Sequence, residues 1–270
     1  MKNNEFPLVD VSQLGFEDSD QWIMRGVDLF RKNGVLLIKN YYAVEYIQNL
    51  KKEFVDKYAY YLEDKVFDNA LRVGHRRTML TMRFEGLFKE RKYYLGNSLR
   101  QLMRVLLGDS FIINSLGAVV SLPGAKEQSV HRDHPNLYSD GGVEMMKVGP
   151  PYAITVGIPL VKTDEICGGT KFWLGSHLRD LNSLQVEEVD GVDASCDLGD
   201  IILFDYRILH KGMANKADKI RPMLYNVYSS PWFRDEMNYT KQDFMTLSRA
   251  NYEEILEEDK KLFSWFFGEV

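Results

Sequence analysis

Gln128-Ser129-Val130-His131-Arg132-Asp133 places an imidazole and a carboxylate two residues apart inside a run that reads as a β-strand. On a strand, residues i and i+2 point to the same face, so His131 and Asp133 can grip one ion. A third ligand is offered far downstream by Gly199-Asp200-Ile201-Ile202-Leu203-Phe204-Asp205-Tyr206-Arg207-Ile208-Leu209-His210, where an apolar strand-like run leads to His210.

Two histidines and one carboxylate form a facial set, which leaves the other face of a six-coordinate metal open, the arrangement of non-haem Fe(II) oxygenases. A His-x-Asp pair alone is a weak signal in a chain with five histidines, and its plain reading is a capping or core histidine. What strengthens it is Arg221, which opens the apolar run Pro222-Met223-Leu224-Tyr225-Asn226-Val227. An arginine pointing inward from a strand is a costly buried charge unless it holds an anion, and its planar fork suits a carboxylate bidentately.

Outward from these stretches, Ser19 to Asn33 reads as an amphipathic helix ending at Gly34, followed by a short strand Val35-Leu36-Leu37-Ile38. Ala43 to Tyr61 reads as a second helix and Arg91 to Leu107 as a third. Between them, residues 62 to 84 have weak periodicity and read as a loop-rich insertion that covers a pocket. β-type runs follow at 111–121, 127–132, 152–160, 171–174, 200–205 and 222–229, separated by Gly, Pro, Asn and Asp. The tail from Lys241 to Phe267 reads as helix, with Phe263, Trp265, Phe266 and Phe267 docking on the sheet. Helices first and strands after predict a mainly β protein with flanking helices, its core a barrel or double-sheet jelly roll. At 270 residues the chain is expected to form one domain, with a mainly helical part over 1–110, the jelly-roll core over 111–232 and a C-terminal helix over 241–267.

The net charge of −5 argues against a nucleic-acid partner. Arg72, His75, Arg76 and Arg77 are the nearest thing to a basic cluster; the plain reading of the three arginines is a solvated charge run, the alternative a lid that meets an acidic substrate. Cys167 and Cys196 provide neither a disulfide framework nor a CxxC zinc site, which suits a reducing cytosol. The sequence shows no signal peptide and no long apolar run, so a cytoplasmic protein without a membrane partner is expected.

Together, His131-Arg132-Asp133, Gly168-Gly169-Thr170 with Gly175-Ser176-His177, Gly199-Asp200-Ile201-Ile202-Leu203-Phe204 ending in His210, and Arg221 resemble the motifs of the phytanoyl-CoA hydroxylase-like (PhyH) family of Fe(II)/2-oxoglutarate-dependent dioxygenases. The resemblance runs from about residue 20 to 232 and is faint from 60 to 110. It implies a double-stranded β-helix, a cupin-like jelly roll. It implies Fe(II) on His131, Asp133 and His210, Arg221 on the distal carboxylate of 2-oxoglutarate, and Thr170 and Gln128 beside that cosubstrate. With O2, the implied activity is oxidation of a C–H bond of a small-molecule metabolite, by hydroxylation, desaturation or cyclisation, with release of succinate and CO2. A carboxylate at Asp133 disfavours halogenation, since the related halogenases have Gly or Ala there. Leu174 departs from the family's Pro-Gly-Ser-His turn.

His177 is read as a turn residue and His134 as structural, while His75, in the insertion, is a weaker candidate for substrate contact. Met79, Met82, Tyr138, Met145, Met146 and Trp232 are candidate pocket residues. The His-Arg-Asp tripeptide also occurs in protein kinases, but no Gly-rich loop or Asp-Phe-Gly accompanies it. The rivals that remain are a zinc-dependent hydrolase, which has no need of Arg221, and a non-catalytic barrel that binds a small ligand.

Overall fold

A computed structural model of the chain describes residues 6–13, 19–135, 137, 149–179, 186 and 190–267. Eleven strands among these residues form two sheets. The strands are β1 (Leu8–Asp10), β2 (Val35–Lys39), β3 (Leu71–Gly74), β4 (Arg77–Thr81), β5 (Ile112–Ser121), β6 (Ala153–Pro159), β7 (Thr170–Phe172), β8 (Val192–Ala194), β9 (Ile201–Asp205), β10 (His210–Gly212) and β11 (Arg221–Ser229). The large sheet has the order β1-β2-β9-β6-β11-β5-β4-β3, and the small one β10-β7-β8. Only β1 and β2 run parallel; the other pairs are antiparallel. Two antiparallel sheets facing one another, with helices against the outer face of the larger, make the expected jelly-roll core.

Period-2 alternation decides what each face of the large sheet meets. Leu80 of β4, Leu116, Ala118 and Val120 of β5, Ile154, Val156 and Ile158 of β6, and Leu224 and Tyr228 of β11 all join the core beneath the helices. Their neighbours point the other way: Arg77, Met79, Val119, Ser121, Thr155, Met223, Tyr225 and Val227 line an internal cavity. Further along the sheet, Val35 and Leu37 of β2 and Ile202 and Phe204 of β9 pack against Phe172 and Ala194 of the small sheet. Both faces are therefore buried, which is why the strands read as nearly continuous apolar runs.

The helices that cover the outer face are α1 (Ser19–Asn33), α2 (Val44–Tyr58), α3 (Arg91–Leu95) and α4 (Asn97–Leu107). Gly34 ends α1 in the left-handed region (φ 78°), with its N–H bonded to Phe30 O at 2.7 Å. A β-carbon there would stand 2.5 Å from His177 Nδ1, so glycine serves both the turn and the packing. The third predicted helix is split in two, because Gly96 is extended (φ −60°, ψ 155°) and the Tyr41 hydroxyl occupies the space where its side chain would be.

Three sequence expectations are corrected here. The 62–84 insertion carries the hairpin β3–β4, which extends the large sheet, with Arg76 (φ 53°) at its tip. The 127–132 run is not a strand: only His131 pairs, through an isolated bridge to His210. The C-terminal tail is not one helix. Thr246 bridges Arg83 and exchanges backbone hydrogen bonds with Met82 and Phe84, and only Arg249–Glu253 and Glu257–Lys260 are α-helical, followed by a 3-10 turn over Ser264–Phe267. Phe263 is nonetheless fully buried, and Trp265, Phe266 and Phe267 pack against the helix-side core. Among the described residues no helix is long and apolar enough to cross a membrane. Both cysteines are free and buried.

Candidate active site

His131 and His210 meet because their backbones exchange two hydrogen bonds of 2.9 Å, N–H of each to O of the other, where the segment after Ser129 crosses the start of β10. This bridge brings the rings to a centroid distance of 4.5 Å. Asp133 follows a bend, and its Oδ1 stands 3.3 Å from His210 Nε2 while Thr155 Oγ1 donates to Oδ2 at 3.0 Å. Ligand atoms of His131, Asp133 and His210 lie within 4.8 Å of one another and could hold a metal ion.

Each imidazole is oriented by the carbonyl two residues before it. His131 Nδ1 lies 2.8 Å from Ser129 O, and His210 Nδ1 lies 3.1 Å from Ile208 O. A carbonyl only accepts, so both rings carry a proton on Nδ1; at His131 this leaves the Nε2 lone pair free, while at His210 Nε2 faces Asp133 Oδ1, a contact whose proton a bound metal would displace. Burial, then the neighbouring His210, pushes His131 down to about 4, which keeps it neutral. At His210 burial opposes protonation, but the charge and hydrogen bond of Asp133 outweigh it and raise the pKa. Burial likewise acts against the ionised Asp133, and the His210 partner more than offsets it, so Asp133 is held below its usual range. Two imidazole nitrogens and one carboxylate oxygen are a donor set suited to a borderline divalent ion such as Fe(II).

The three groups open on a cavity of about 420 Å³. The same cavity is lined by a row of three residues on adjacent strands: Arg77 of β4 and Arg221 of β11 are both register partners of Ser121 on β5. Arg77 is 1% exposed and Arg221 6%. Arg221 Nη2 donates to Ser121 Oγ at 3.0 Å, and its Nη1 to Cys167 O and Met213 O at 3.0 and 3.1 Å. Arg77 donates to Gln128 Oε1 at 2.6 Å, Met213 O at 2.8 Å and Lys126 O at 3.3 Å, and its Nε has no acceptor. Among the described residues neither guanidinium has a carboxylate partner. Two buried cations without a counter-ion, one with an orphaned donor, fit a cavity that takes an anion such as a dicarboxylate.

The Gly-Gly-Thr stretch lies against Arg221. Gly168 has φ 78°, and a β-carbon on it would collide with Ala214 O and Arg221 Nη1. Thr170 lines the cavity beside Tyr225, whose hydroxyl it hydrogen-bonds. Gln128 also faces the cavity, with Nε2 donating to Val73 O at 2.7 Å and Oε1 accepting from Gly212 N at 3.0 Å as well as from Arg77.

The structure brings together His131, Asp133, His210, Gln128, Thr170 and Arg221 around one cavity. Arg77 is corrected: it belongs to that cavity and not to a solvated run, whereas Arg72 and Arg76 pair at the surface with Asp64. Met79 lines the cavity, but Met82 is fully buried in the helix-side core. His75 and Trp232 are not among the lining residues, and Trp232 is 65% exposed. His134 packs edge-on to Phe233, and His177 is buried with Nε2 against Arg31 O at 3.0 Å. Tyr138, Met145 and Met146 lie outside the described residues. Sequence reasoning missed Thr155, which sits in a long apolar run, and the Tyr206–Asp235–Asn238 group at the cavity wall. Tyr206 Oη and Asn238 Nδ2 donate to Asp235 Oδ2 at 3.0 and 2.8 Å, and the same Asn238 nitrogen reaches Asp133 O at 2.8 Å. Burial, not fully offset by these bonds, raises the Asp235 pKa.

A family model described as phytanoyl-CoA dioxygenase (PhyH) matches residues 30–223. Among solved structures the fold is similar to AviO1 from Streptomyces viridochromogenes Tue57 (TM-score 0.61, 19% identity, 78% of this chain and 96% of that one). It is similar too to the non-heme alpha ketoglutarate dependent epimerase SnoN from nogalamycin biosynthesis (0.60, 16%, 83% and 88%), solved also in complex with Fe3+, alpha ketoglutarate and nogalamycin RO. EvdMO1 gives 0.60 at 20% identity over 77% of this chain, which spans half the length of that protein. At these identities the likeness is one of fold.

Proposed function

The chain belongs to the phytanoyl-CoA dioxygenase family and is a 2-oxoglutarate-dependent non-haem iron enzyme; from that premise we propose that it oxidises a C–H bond of a free small-molecule metabolite in a biosynthetic pathway, by hydroxylation, desaturation or ring closure. In this proposal His131, Asp133 and His210 hold the iron, and Gln128, Thr170 and Arg221 receive the cosubstrate. Bound iron, 2-oxoglutarate and dioxygen supply the power to remove a hydrogen atom from an unactivated carbon, with succinate and carbon dioxide released.

The tasks of the protein are positioning and exclusion of water. The Nδ1 groups of His131 and His210, committed to Ser129 O and Ile208 O, turn Nε2 of both imidazoles toward the ligand position. Thr155 fixes the rotation of the Asp133 carboxylate from one side, and Asn238 ties the Asp133 backbone to the 230–240 loop from another. Arg221 would offer its fork to the distal carboxylate, which orients the oxo-acid group within the same cavity. The metabolite would enter beside Met79, Val227 and Tyr239, where the cavity wall is apolar or neutral. That SnoN, a neighbour of the same fold, is an epimerase from nogalamycin biosynthesis supports a C–H bond of a natural product as the target class.

The observation that carries this function is the convergence of two imidazoles and a carboxylate in a cavity also lined by two buried guanidinium groups, neither with a carboxylate partner among the described residues. A zinc hydrolase or an inert ligand-binding barrel accounts for neither Arg221 nor its environment. Anaerobic addition of Fe(II) and 2-oxoglutarate is expected to give a weak visible charge-transfer band, lost in His131→Ala and weakened in Arg221→Ala. No band at any iron load would refute the assignment. Candidate metabolites are then ranked by stimulated succinate formation, and product mass distinguishes a gain of one oxygen from a loss of two hydrogens.

A further inference from the structure

We propose that Arg77 and Arg221 form a two-guanidinium cradle for one carboxylate, that at the distal end of the cosubstrate, with Ser121 between them. The proposal rests on 2-oxoglutarate being the cosubstrate and adds a second cation, from a different strand, to its recognition.

Register places the two arginines symmetrically. Arg77 and Arg221 stand opposite the same residue, Ser121, on the two edges of β5, so both side chains leave the sheet on the cavity face. They converge further out as well, since Arg77 Nη2 and Arg221 Nη1 both donate to Met213 O, at 2.8 and 3.1 Å. Two guanidinium groups that share one acceptor are close enough for one carboxylate to accept from both.

The surroundings leave the pair in need of an anion. The three carboxylates that line the cavity have other partners: Asp133 meets His210 and Thr155, Asp235 meets Tyr206 and Asn238, and Glu127 pairs with Lys211 at 3.2 Å. The partners of both forks are carbonyls, one amide oxygen and one hydroxyl, all neutral. Burial, together with the neighbouring Arg221 charge, pushes Arg77 down to about 10. Burial also lowers Arg221. Space has been kept for the forks: a β-carbon at Gly168 would collide with Arg221 Nη1, and one at Gly212 with Arg77 Nη1. A shared anion relieves the repulsion and satisfies both cations at once.

The plainer role for Arg77 is to pin Gln128, and through it the segment leading to His131. The two roles predict different selectivity. With Ni(II) in place of iron, calorimetry is used to compare 2-oxoglutarate with 2-oxovalerate, which keeps the chelating oxo acid and lacks the distal carboxylate. The cradle predicts that Arg77→Gln lowers the preference for 2-oxoglutarate on the order of ten- to hundredfold, as Arg221→Gln does, with 2-oxovalerate little affected. Equal weakening of both ligands, or no change, overturns the cradle and leaves the pinning role. Arg77→Lys, which keeps a cation without the fork, is expected to lose part of the preference, and an unchanged ratio in that variant also overturns the proposal should Arg77→Gln fail to fold. Failure of the unaltered protein to bind 2-oxoglutarate at all would instead refute the cosubstrate assignment.

Discussion

Thr155 Oγ1 donates to Asp133 Oδ2 at 3.0 Å from β6, on the side of the carboxylate away from His210 Nε2, which stands 3.3 Å from Oδ1. Thr155 is held in turn by register with Phe204 of β9 and Val227 of β11, so the hydroxyl is delivered by the rigid middle of the large sheet. A carboxylate gripped in this way is presented in one orientation, and partners of this kind contribute about ten- to hundredfold to metal affinity. Thr155→Val keeps the shape and removes the donor. Competitive metal titration is expected to show at least roughly tenfold weaker binding with an unaltered circular dichroism spectrum. Equal affinity in the variant would show that Asp133 needs no such support.

Gly168 tests the closeness of the Gly-Gly-Thr stretch to Arg221. The left-handed backbone at φ 78° costs a non-glycine residue about 1–2 kcal/mol, and the added methyl also collides with Ala214 O and Arg221 Nη1. Gly168→Ala is therefore expected to lower the melting temperature by roughly 2–8 °C and to weaken 2-oxoglutarate binding by displacing the fork. Thermal unfolding with and without the ligand separates the two effects. A variant as stable as the parent, with the same affinity, would contradict the packing.

Legibility in the sequence followed chemical uniqueness. His131, Asp133, His210 and Arg221 stand out because ionisable groups flanking apolar runs have few plain explanations, and the burial of Arg221 is what its place at the head of Pro222–Val227 implies. Arg77 carries the same information but lies in a charge-rich run with His75 and Arg76, so its inward position on β4 was masked by neighbours at the hairpin tip. Thr155 was hidden for the opposite reason, as one hydroxyl among apolar residues. The bridge in the tail is hidden because its pairing is non-local, Thr246 finding its partners at Met82 and Phe84; the 62–84 hairpin is local, Leu71 opposite Met79, but its charge-rich residues show no clear apolar alternation. The 127–132 run has the polar–apolar alternation of a strand, yet it meets β10 only through the His131–His210 bridge and the Gln128 N–H bond to Gly212 O at 2.9 Å.

His177 gives a pH dependence whose sign can be worked out. Burial lowers its pKa in the folded protein, and its Nδ1 has no partner to share a second proton. The unfolded chain takes up that proton below about 6.5, whereas the folded chain resists it. Below about pH 6.5 unfolding therefore gains a proton, and this residue's contribution to stability is present above that pH and falls as the solution is acidified. His177→Gln, whose amide can still donate to Arg31 O, is expected to flatten the acid limb of stability against pH by up to about 1.4 kcal/mol per pH unit relative to the parent. Urea unfolding at a series of pH values from 5 to 8, on metal-free protein, measures the difference. Parallel curves for the two proteins would mean that His177 takes up its proton as readily folded as unfolded.

Arg207 and Asp205 form a buried ion pair on the segment that leads to His210, and removing one partner should cost more than removing both. Arg207 Nε and its backbone N–H donate to Asp205 Oδ1 at 2.8 and 2.9 Å, and Nη2 donates to Oδ2 at 2.6 Å, with side chains 6% and 1% exposed. The pair holds the turn between β9 and β10. It also carries Arg132, the residue between the two proximal ligands, whose Nε donates to Arg207 O at 2.8 Å. Arg207→Met leaves the Asp205 carboxylate buried without its cation, a change that costs about 3–5 kcal/mol. The double variant Asp205→Leu with Arg207→Met removes both charges and should recover a large part of that loss, because the desolvation of each ion is avoided. Metal affinity should not recover with it, since the turn that aims His210 and the anchor of Arg132 depend on the bidentate geometry itself. Denaturant unfolding and metal titration of the single and double variants decide between the outcomes: recovery of both quantities would make the pair a stability element alone, and recovery of stability without metal affinity would make it the brace of the ligand set.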